Sequence, residues 1–510
     1  MKFRNFLYLA VLLLAMGSCK KSWLDINTNP NQLPSSTPNF VFSSGLARTV
    51  AFLTPNETGS YWSGAWTQSN TYIIDNARFS YQFNNTNFNF WDTWYDIAED
   101  FQYVIDNAPA SPDQLSFKGP ARVMKSYIFQ MIVDTYGDAP YSEAFKGVGN
   151  ISPKFDNAQA IYEDLIKQLD TAITEIRANA FAPAFTSSDI AFNGNRTRWV
   201  QFANSLKMRI LIRQSRVTGR DTYIITEVNK AAATTEGFLP AGVDVTVNPG
   251  YVASSGKQNP FYENWGYNAA GTIQALARFP RPTTFLFNTL IATDDTFRLK
   301  RLASPKGGYD TARFVPLGNY VGVPFGASSG YLSQATSYLG PSVIVKGEYA
   351  RPMYLMLAAE SFFLLAEAKQ RYGAAVTLPM TAQQYYAQGH RESYRVPGTS
   401  ATYDPIYGNV ATRLLTSGKD LADWSASPDK LKAIWMQKWV ALVNYSGLEA
   451  WAEFRRTNFP PIPASASAPA GTKLPVRLFY PSSEVASNAA NTPVQGPNTI
   501  FDNRIFWDVD

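Results

Sequence analysis

The chain has 510 residues, 45% hydrophobic, 14% aromatic and only 17% charged, which supplies a large core and excludes a disordered chain. Its net charge of +5 is not gathered into any basic block, so no electrostatic footprint for nucleic acid exists. One cysteine, Cys19, and one histidine, His390, exclude an intrachain disulfide framework and a zinc site built mainly from His and Cys.

In chain order, Lys2 and Arg4 precede an apolar run from Phe6 to Met16, followed by Gly17 and Ser18. This reads as an export signal, too short for a spanning helix. Met16-Gly17-Ser18-Cys19 resembles the bacterial lipobox, which implies cleavage before Cys19 and acylation of its thiol and new amine. Two or more acyl chains anchor stably where one does not. Residues 1–18 are thus read as signal peptide and 19–38 as a lipidated tether, rich in Asn, Pro and Ser.

Residues 39–510 are read as a single, mainly α domain. The first part of a helical core runs from about 39 to 235, with helices near 39–53, 88–107, 120–135 and 221–233. Asp156 with Gln159 forms a capping-box pattern ahead of Ile161, Leu165, Ile166, Leu169, Ile173 and Ile176. Arg198 to Arg216 predicts a helix with Phe202, Leu206, Ile210 and Ile212 inside and Lys207, Arg209, Arg213 and Arg216 outside. From about 236 to 351 Gly, Pro, Ser, Asn and Tyr dominate, with short β-branched runs at Val245–Val247 and Val343–Val345. This predicts a loop-rich insertion. The core resumes over about 352–457, with a Thr381/Gln384 capping box and a helix capped by Ser427 with Pro428 at its first position. Residues 458–510 read as irregular but ordered. Paired helices with irregular insertions predict an α-α superhelix, although no clean 34-residue repeat is present.

Tyr136-Gly137-Asp138-Ala139-Pro140 reads as a helix stop, with Gly137 at positive φ. Trp439, Trp451, Arg455 and Arg456 read as packing and inter-helix pairing. Gly326-Ala327-Ser328-Ser329-Gly330 fits the hydrolase elbow pattern, but its triad would need His390 and one of Glu348, Glu360 or Glu367, in a chain without alternating strands and helices. No phosphate-binding loop is present. The expectation is a protein that is not an enzyme and holds no metal or cofactor beyond the lipid on Cys19.

Several landmarks together resemble the SusD/RagB family of nutrient-binding outer-membrane lipoproteins. They are Leu24-Asp25-Ile26-Asn27-Thr28-Asn29-Pro30-Asn31, Tyr136 to Ala144, Glu360 with Leu364 to Ala368, and Gln437 to Leu442. Glu449-Ala450-Trp451 with Glu453, Arg455, Arg456 and Thr457, then Pro475 to Pro481 with Glu484, Asn488 and Asn491, complete the set. The order holds from the lipobox to the C-terminus. The resemblance implies tetratricopeptide-like helix pairs beside a variable subdomain, and a surface-exposed lipoprotein. It also implies a partner, a TonB-dependent outer-membrane barrel of the SusC type, to which captured nutrient is passed. The nutrient is usually a glycan, with a peptide ligand as the alternative and a surface glycosidase as the third reading.

Glycan capture needs exposed rings to stack on the apolar face of a sugar, with polar groups between them for its hydroxyls. Two clusters have that composition. One holds Tyr61, Trp62, Trp66, Gln68, Asn70, Tyr72 and Arg78 and continues to Trp91, Trp94 and Tyr95. The other holds Tyr262, Asn264, Trp265, Tyr267 and Asn268 with Arg278. Trp62, Trp66, Asn70, Tyr72, Arg78, Tyr262, Trp265, Tyr267 and Arg278 are the candidate ligand residues. Trp265 and Tyr267, flanked by Asn and Gly in the loop-rich region, are expected to be exposed.

Overall fold

A computed structural model describes residues 36–108, 112–309, 315–395 and 404–509. The signal segment, Cys19 and the tether through residue 35 lie outside the described residues. The first helical run comprises α1 (Pro38–Ala51), α2 (Thr54–Trp62), α3 (Trp91–Asn107), α4 (Pro112–Tyr136), α5 (Ala158–Ala178), α6 (Arg196–Arg213) and α7 (Asp221–Ala232). After the short α8 (Pro260–Trp265) come α9 (Ala358–Tyr372), α10 (Ala382–Tyr394), α11 (Asp404–Leu415), α12 (Lys430–Leu442) and α13 (Gly447–Thr457). Helices adjacent in sequence pack on one another as pairs, α3 on α4, α4 on α5 and α9 on α10. α6 bridges the two runs by packing on both α5 and α9. The result is the expected α-α superhelix of tetratricopeptide-like pairs.

The strands are short, and each joins distant segments. β1 (Trp66–Gln68) pairs antiparallel with β3 (Pro280–Pro282). β2 (Val245–Val247) pairs with β6 (Met353–Met356), and β4 (Ala303–Lys306) with β5 (Ser337–Leu339). Val343–Val345 forms a turn rather than a strand.

The helix ends follow local chemistry. Gly137 takes φ +81° and its N–H donates to Val133 O, ending α4. The Thr381/Gln384 capping box is formed in full. Asp156, however, does not cap α5. Asn157 does, accepting from the N–H groups of Gln159 and Ala160, while Asp156 accepts from the N–H groups of Tyr141 and Ser142 and closes the preceding turn. Likewise Asp429 caps α12, and the Ser427 hydroxyl donates back to Asp423 O. In both places two side chains within two residues of each other had capping chemistry, and the turn geometry chose between them.

α13 returns to α2 so closely that their backbones touch. A Cβ on Gly59 would stand 2.4 Å from the Gly447 carbonyl, so only glycine fits this crossing.

The largest departure from the periodicity reading is α6. Lys207, Arg209 and Arg213 do not face solvent; all are at least 97% buried. They meet carboxylates from five other helices, α4, α5, α7, α9 and α13. Arg209 binds Glu360 of α9 through Nε–Oε1 at 2.6 Å and Nη2–Oε2 at 2.9 Å. Arg213 reaches Glu453 at 2.5 Å and also contacts Glu449, both on α13. Arg456 of α13 closes the network with two 2.8 Å bonds to Glu367 of α9, and Lys438 of α12 lies 3.2 Å from Glu453. Burial by itself would raise the Glu453 carboxyl, but Arg456, Lys438 and Arg213 reverse this and hold it well below the usual range. Glu367 is likewise pulled down to about 2, burial being outweighed by Arg456 and Arg371. A helix between two layers has no solvent face, so its polar face must be paired inside.

Candidate functional site

The two aromatic clusters converge, because β1 and β3 lie at the foot of both. From β1 the chain rises into the loop 69–75, which rests against residues 274–279 and 327–333. Ser69 is fully buried: its N–H donates to Phe279 O at 3.0 Å and its hydroxyl to Arg278 O at 2.5 Å. The Asn70 side chain donates to Ala327 O at 2.8 Å and accepts from the Tyr331 N–H at 2.9 Å, tying the loops together. Gln68 Nε2 donates to Ile73 O at 3.0 Å, and its Oε1 accepts from the Asp75 N–H at 2.9 Å. Tyr72 packs on Phe279, with ring centroids 5.3 Å apart, and its hydroxyl donates to Ala275 O at 2.7 Å.

This scaffolding presents an apolar, aromatic surface to solvent. Ile73 is 94% exposed at the loop tip, with Leu276 and Leu332 about half exposed beside it. Tyr72 and Tyr331 are half-buried, and the Arg278 side chain is exposed. Arg78 serves the same face from below. It bonds Asp75 at 2.9 Å, pairs with Glu57 at 3.4 Å and lies over the Tyr61 ring. Burial raises the Glu57 carboxyl, and Arg78 opposes that.

The remaining candidates are structural. Trp62 is fully buried against Trp451, its indole N–H donating to Arg78 O. Trp66 donates to Asn444 Oδ1 at 2.8 Å. Trp91, Trp94 and Tyr95 pack α3 against Tyr136 and Phe129. Tyr262 is buried, its hydroxyl accepting from the Gly347 N–H. Trp265 and Tyr267 are not exposed, contrary to the expectation from their Asn and Gly neighbours; they are 3% and 8% accessible. The reason is α8. Asn259 caps it, and its single helical turn swings Trp265 inward onto Phe261 and Trp66. Tyr267 then packs beside Tyr262 and Tyr309.

Trp66 and Trp265 line a cleft with Phe52, Tyr127, Phe261 and Tyr354. It encloses about 70 Å³, well below the ~300 Å³ at which small-molecule sites begin. Several of its polar side chains are already committed. Asn259 donates to Arg351 O, Asn444 to Leu302 O and Ser342 Oγ, and the Tyr127 hydroxyl to Leu355 O. The residues missed by sequence reading are therefore Ile73, Leu276, Tyr331 and Leu332. Their one signal is position: Tyr331-Leu332 directly follows the Gly326–Gly330 run, where a bulky pair finds little to pack on.

The hydrolase alternative lacks its geometry. His390 is fully buried between Tyr386 and Tyr394, and neither ring nitrogen has a partner. Glu360 and Glu367 are committed to Arg209 and Arg456. Among the described residues, no three His, Cys, Asp or Glu side chains are grouped as a metal site requires, and no helix is long and apolar enough to cross a membrane.

Among solved structures, a chitin-binding SusD homolog from Flavobacterium johnsoniae shares 23% identity, with 92% of this chain and 99% of that chain covered and a TM-score of 0.71. A SusD homolog from Bacteroides uniformis shares 22%, covering 92% and 100% of the two chains with a TM-score of 0.70. A SusD/RagB family protein from Bacteroides thetaiotaomicron shares 21%, covering 93% and 99% with a TM-score of 0.71. These likenesses establish the fold. No curated protein sequence matches the chain. The sequence profile of the SusD-like_2 family, described as starch-binding associating with outer membrane, matches residues 30–481, and the chain belongs to that family.

Proposed function

We propose that this chain is a non-catalytic, lipid-anchored protein of the outer membrane that captures oligosaccharides on the 69–75/274–279/327–333 face. It passes them to a TonB-dependent barrel of the SusC type, with Cys19 carrying the anchor. The observation that carries the proposal is the convergence of three hydrogen-bonded loops on one exposed surface of Tyr72, Ile73, Leu276, Arg278, Tyr331 and Leu332. Rings and aliphatic groups held rigidly supply stacking without an ordering cost at binding, and Arg278 supplies donors for hydroxyls. The family's description as starch-binding and the chitin-binding relative from Flavobacterium johnsoniae support the glycan over the peptide.

Titration calorimetry against malto- and chito-oligosaccharides tests this. Saturable binding to one glycan series, weakened about tenfold (~1.4 kcal/mol) by Tyr72→Ala and by Arg278→Ala, is the expected result. Binding unaffected by both substitutions would place the site elsewhere. A response only to mixed peptides would transfer the reading to a peptide carrier.

A further inference from the structure

The three loops of the binding face are tied together in pairs. Loop 69–75 is held to 274–279 by Ser69 and Tyr72, and to 327–333 by Asn70 and by the Thr71 hydroxyl, which accepts from the Ser333 N–H at 2.9 Å. The third side of this triangle, from 274–279 to the turn at 332–336, runs through a guanidinium. Arg281 stands on β3 opposite Thr67 of β1 and is fully buried beneath the loops. Its Nη1 donates to Pro280 O at 2.6 Å and to Ala277 O at 3.2 Å, the latter a carbonyl of the single 3-10 turn Ala275–Arg278. Its Nε donates to Thr336 Oγ1 at 3.0 Å, and that hydroxyl donates in turn to Leu332 O at 3.1 Å. The guanidinium carbon lies 3.9 Å from the centre of the Tyr338 ring.

Ion pairing does not account for this residue. Arg209, Arg213 and Arg456 each meet carboxylates in the interior. Around Arg281 burial prevails and lowers the guanidinium to about 10, opposed chiefly by the phenols Tyr338 and Tyr309. A charge buried without a counter-ion costs stability, so an apolar side chain would fill this position at least as well if filling were its task. What a guanidinium adds is a rigid, planar fork that reaches acceptors on two turns at once. We infer that Arg281 is the positioning residue of the loop face: it sets the spacing of Leu276 and Arg278 against Tyr331 and Leu332, and with it the stacking geometry offered to a sugar. The inference rests on the glycan reading of that face. Arg281 itself touches no ligand, because the loops cover it.

Two variants and two readouts test this. Arg281→Met keeps an unbranched side chain and removes the fork; Thr336→Val removes only the bridging hydroxyl. In a Cys19→Ser background, cysteines placed at Leu276 and Leu332, both about half exposed, are the only thiols and carry spin labels for electron paramagnetic resonance. The expected distribution of label distances is narrow in the parent and broader in both variants. In unlabelled protein below the unfolding transition, calorimetry with malto- and chito-oligosaccharides should show affinity at least tenfold lower in Arg281→Met and lowered in the same direction by Thr336→Val. Label distances unchanged in both variants would overturn the assignment even if affinity fell with stability, since that is what a merely structural arginine predicts. Affinity unchanged in both would overturn it as well. Should Arg281→Met fail to fold, Thr336→Val decides by the same two criteria. A parent that binds no oligosaccharide would overturn the glycan reading instead, and the label distances alone then decide whether Arg281 sets the spacing of the two turns.

Discussion

The contrast between Trp265 and Tyr72 is the sharpest test of this reading, because composition makes them equivalent and tertiary structure does not. Replacing Trp265 by Ala removes an indole that is 3% exposed and packed 4.8 Å from Phe261 and 6.1 Å from Trp66, centroid to centroid. The site cannot collapse freely, since Trp66 is held by Asn444 and the Trp265 backbone carbonyl by the Tyr309 hydroxyl. Lost transfer energy and a residual cavity then cost about 3–5 kcal/mol. That is a fifth or more of the ~5–15 kcal/mol that stabilises a typical fold. Replacing Tyr72 by Ala removes one hydroxyl bond and one ring contact from a half-buried loop, at about 1 kcal/mol. Urea unfolding of both variants, followed by oligosaccharide titration below the transition, separates them. Trp265→Ala should lose stability and keep its affinity; Tyr72→Ala should do the reverse. A Trp265→Ala protein that unfolds within ~1 kcal/mol of the parent yet no longer binds glycan would refute the burial argument and return that indole to the site.

Three further outcomes follow from the core. Arg456→Met strips Glu367 and Glu453 of four hydrogen bonds while leaving both carboxylates buried, and should cost about 3–5 kcal/mol in urea unfolding. Gly59→Ala drives a methyl into the Gly447 backbone and should lower the melting temperature by more than Gly149→Ala, where a Cβ meets nothing within 4 Å. Stability should also fall in two acid ranges. His390 is buried neutral with its pKa well below the ordinary value, through burial and then the charges of Arg298 and Arg391. Its contribution is full above ~6.5 and declines as pH drops below that, so His390→Phe should flatten the decline in denaturant midpoint between neutral and mildly acid pH. The depressed Glu367 contributes above its unfolded value of ~4.3 and loses that contribution as pH falls towards about 2, so a second decline there should be reduced in Glu367→Gln.

Much of the helical frame was legible in the sequence because its signals are local. The apolar spacing of α5, the Thr381/Gln384 box and the Gly137 stop each act within a few residues. The ordered landmarks from Asn27 to Asn491 likewise carried the family. The binding face was legible only in its parts. Tyr72 and Arg278 were picked out as ring and cation, yet nothing in their own segments shows that Ser69, Asn70 and Gln68 spend their polar groups on binding the loops together. Ile73, Leu276 and Leu332 look like core residues to any local rule, since hydrophobicity does not state which side of a loop faces water.

What the sequence by itself determined is what composition and short-range periodicity can encode: an aromatic-rich, mainly α chain whose helices begin and end at recognisable caps. What only the tertiary structure decided is the environment of each side chain. Arg209 and Arg213 carry the same charge on a surface or in a core, and it is the carboxylates of α9 and α13, more than a hundred residues away, that make the interior tolerable for them. Trp265 is equally free in sequence to face water or protein, and one turn of α8 against Trp66 settles it. Burial and pairing are sums over neighbours distant in the chain, so they become properties of a residue only once the chain has folded.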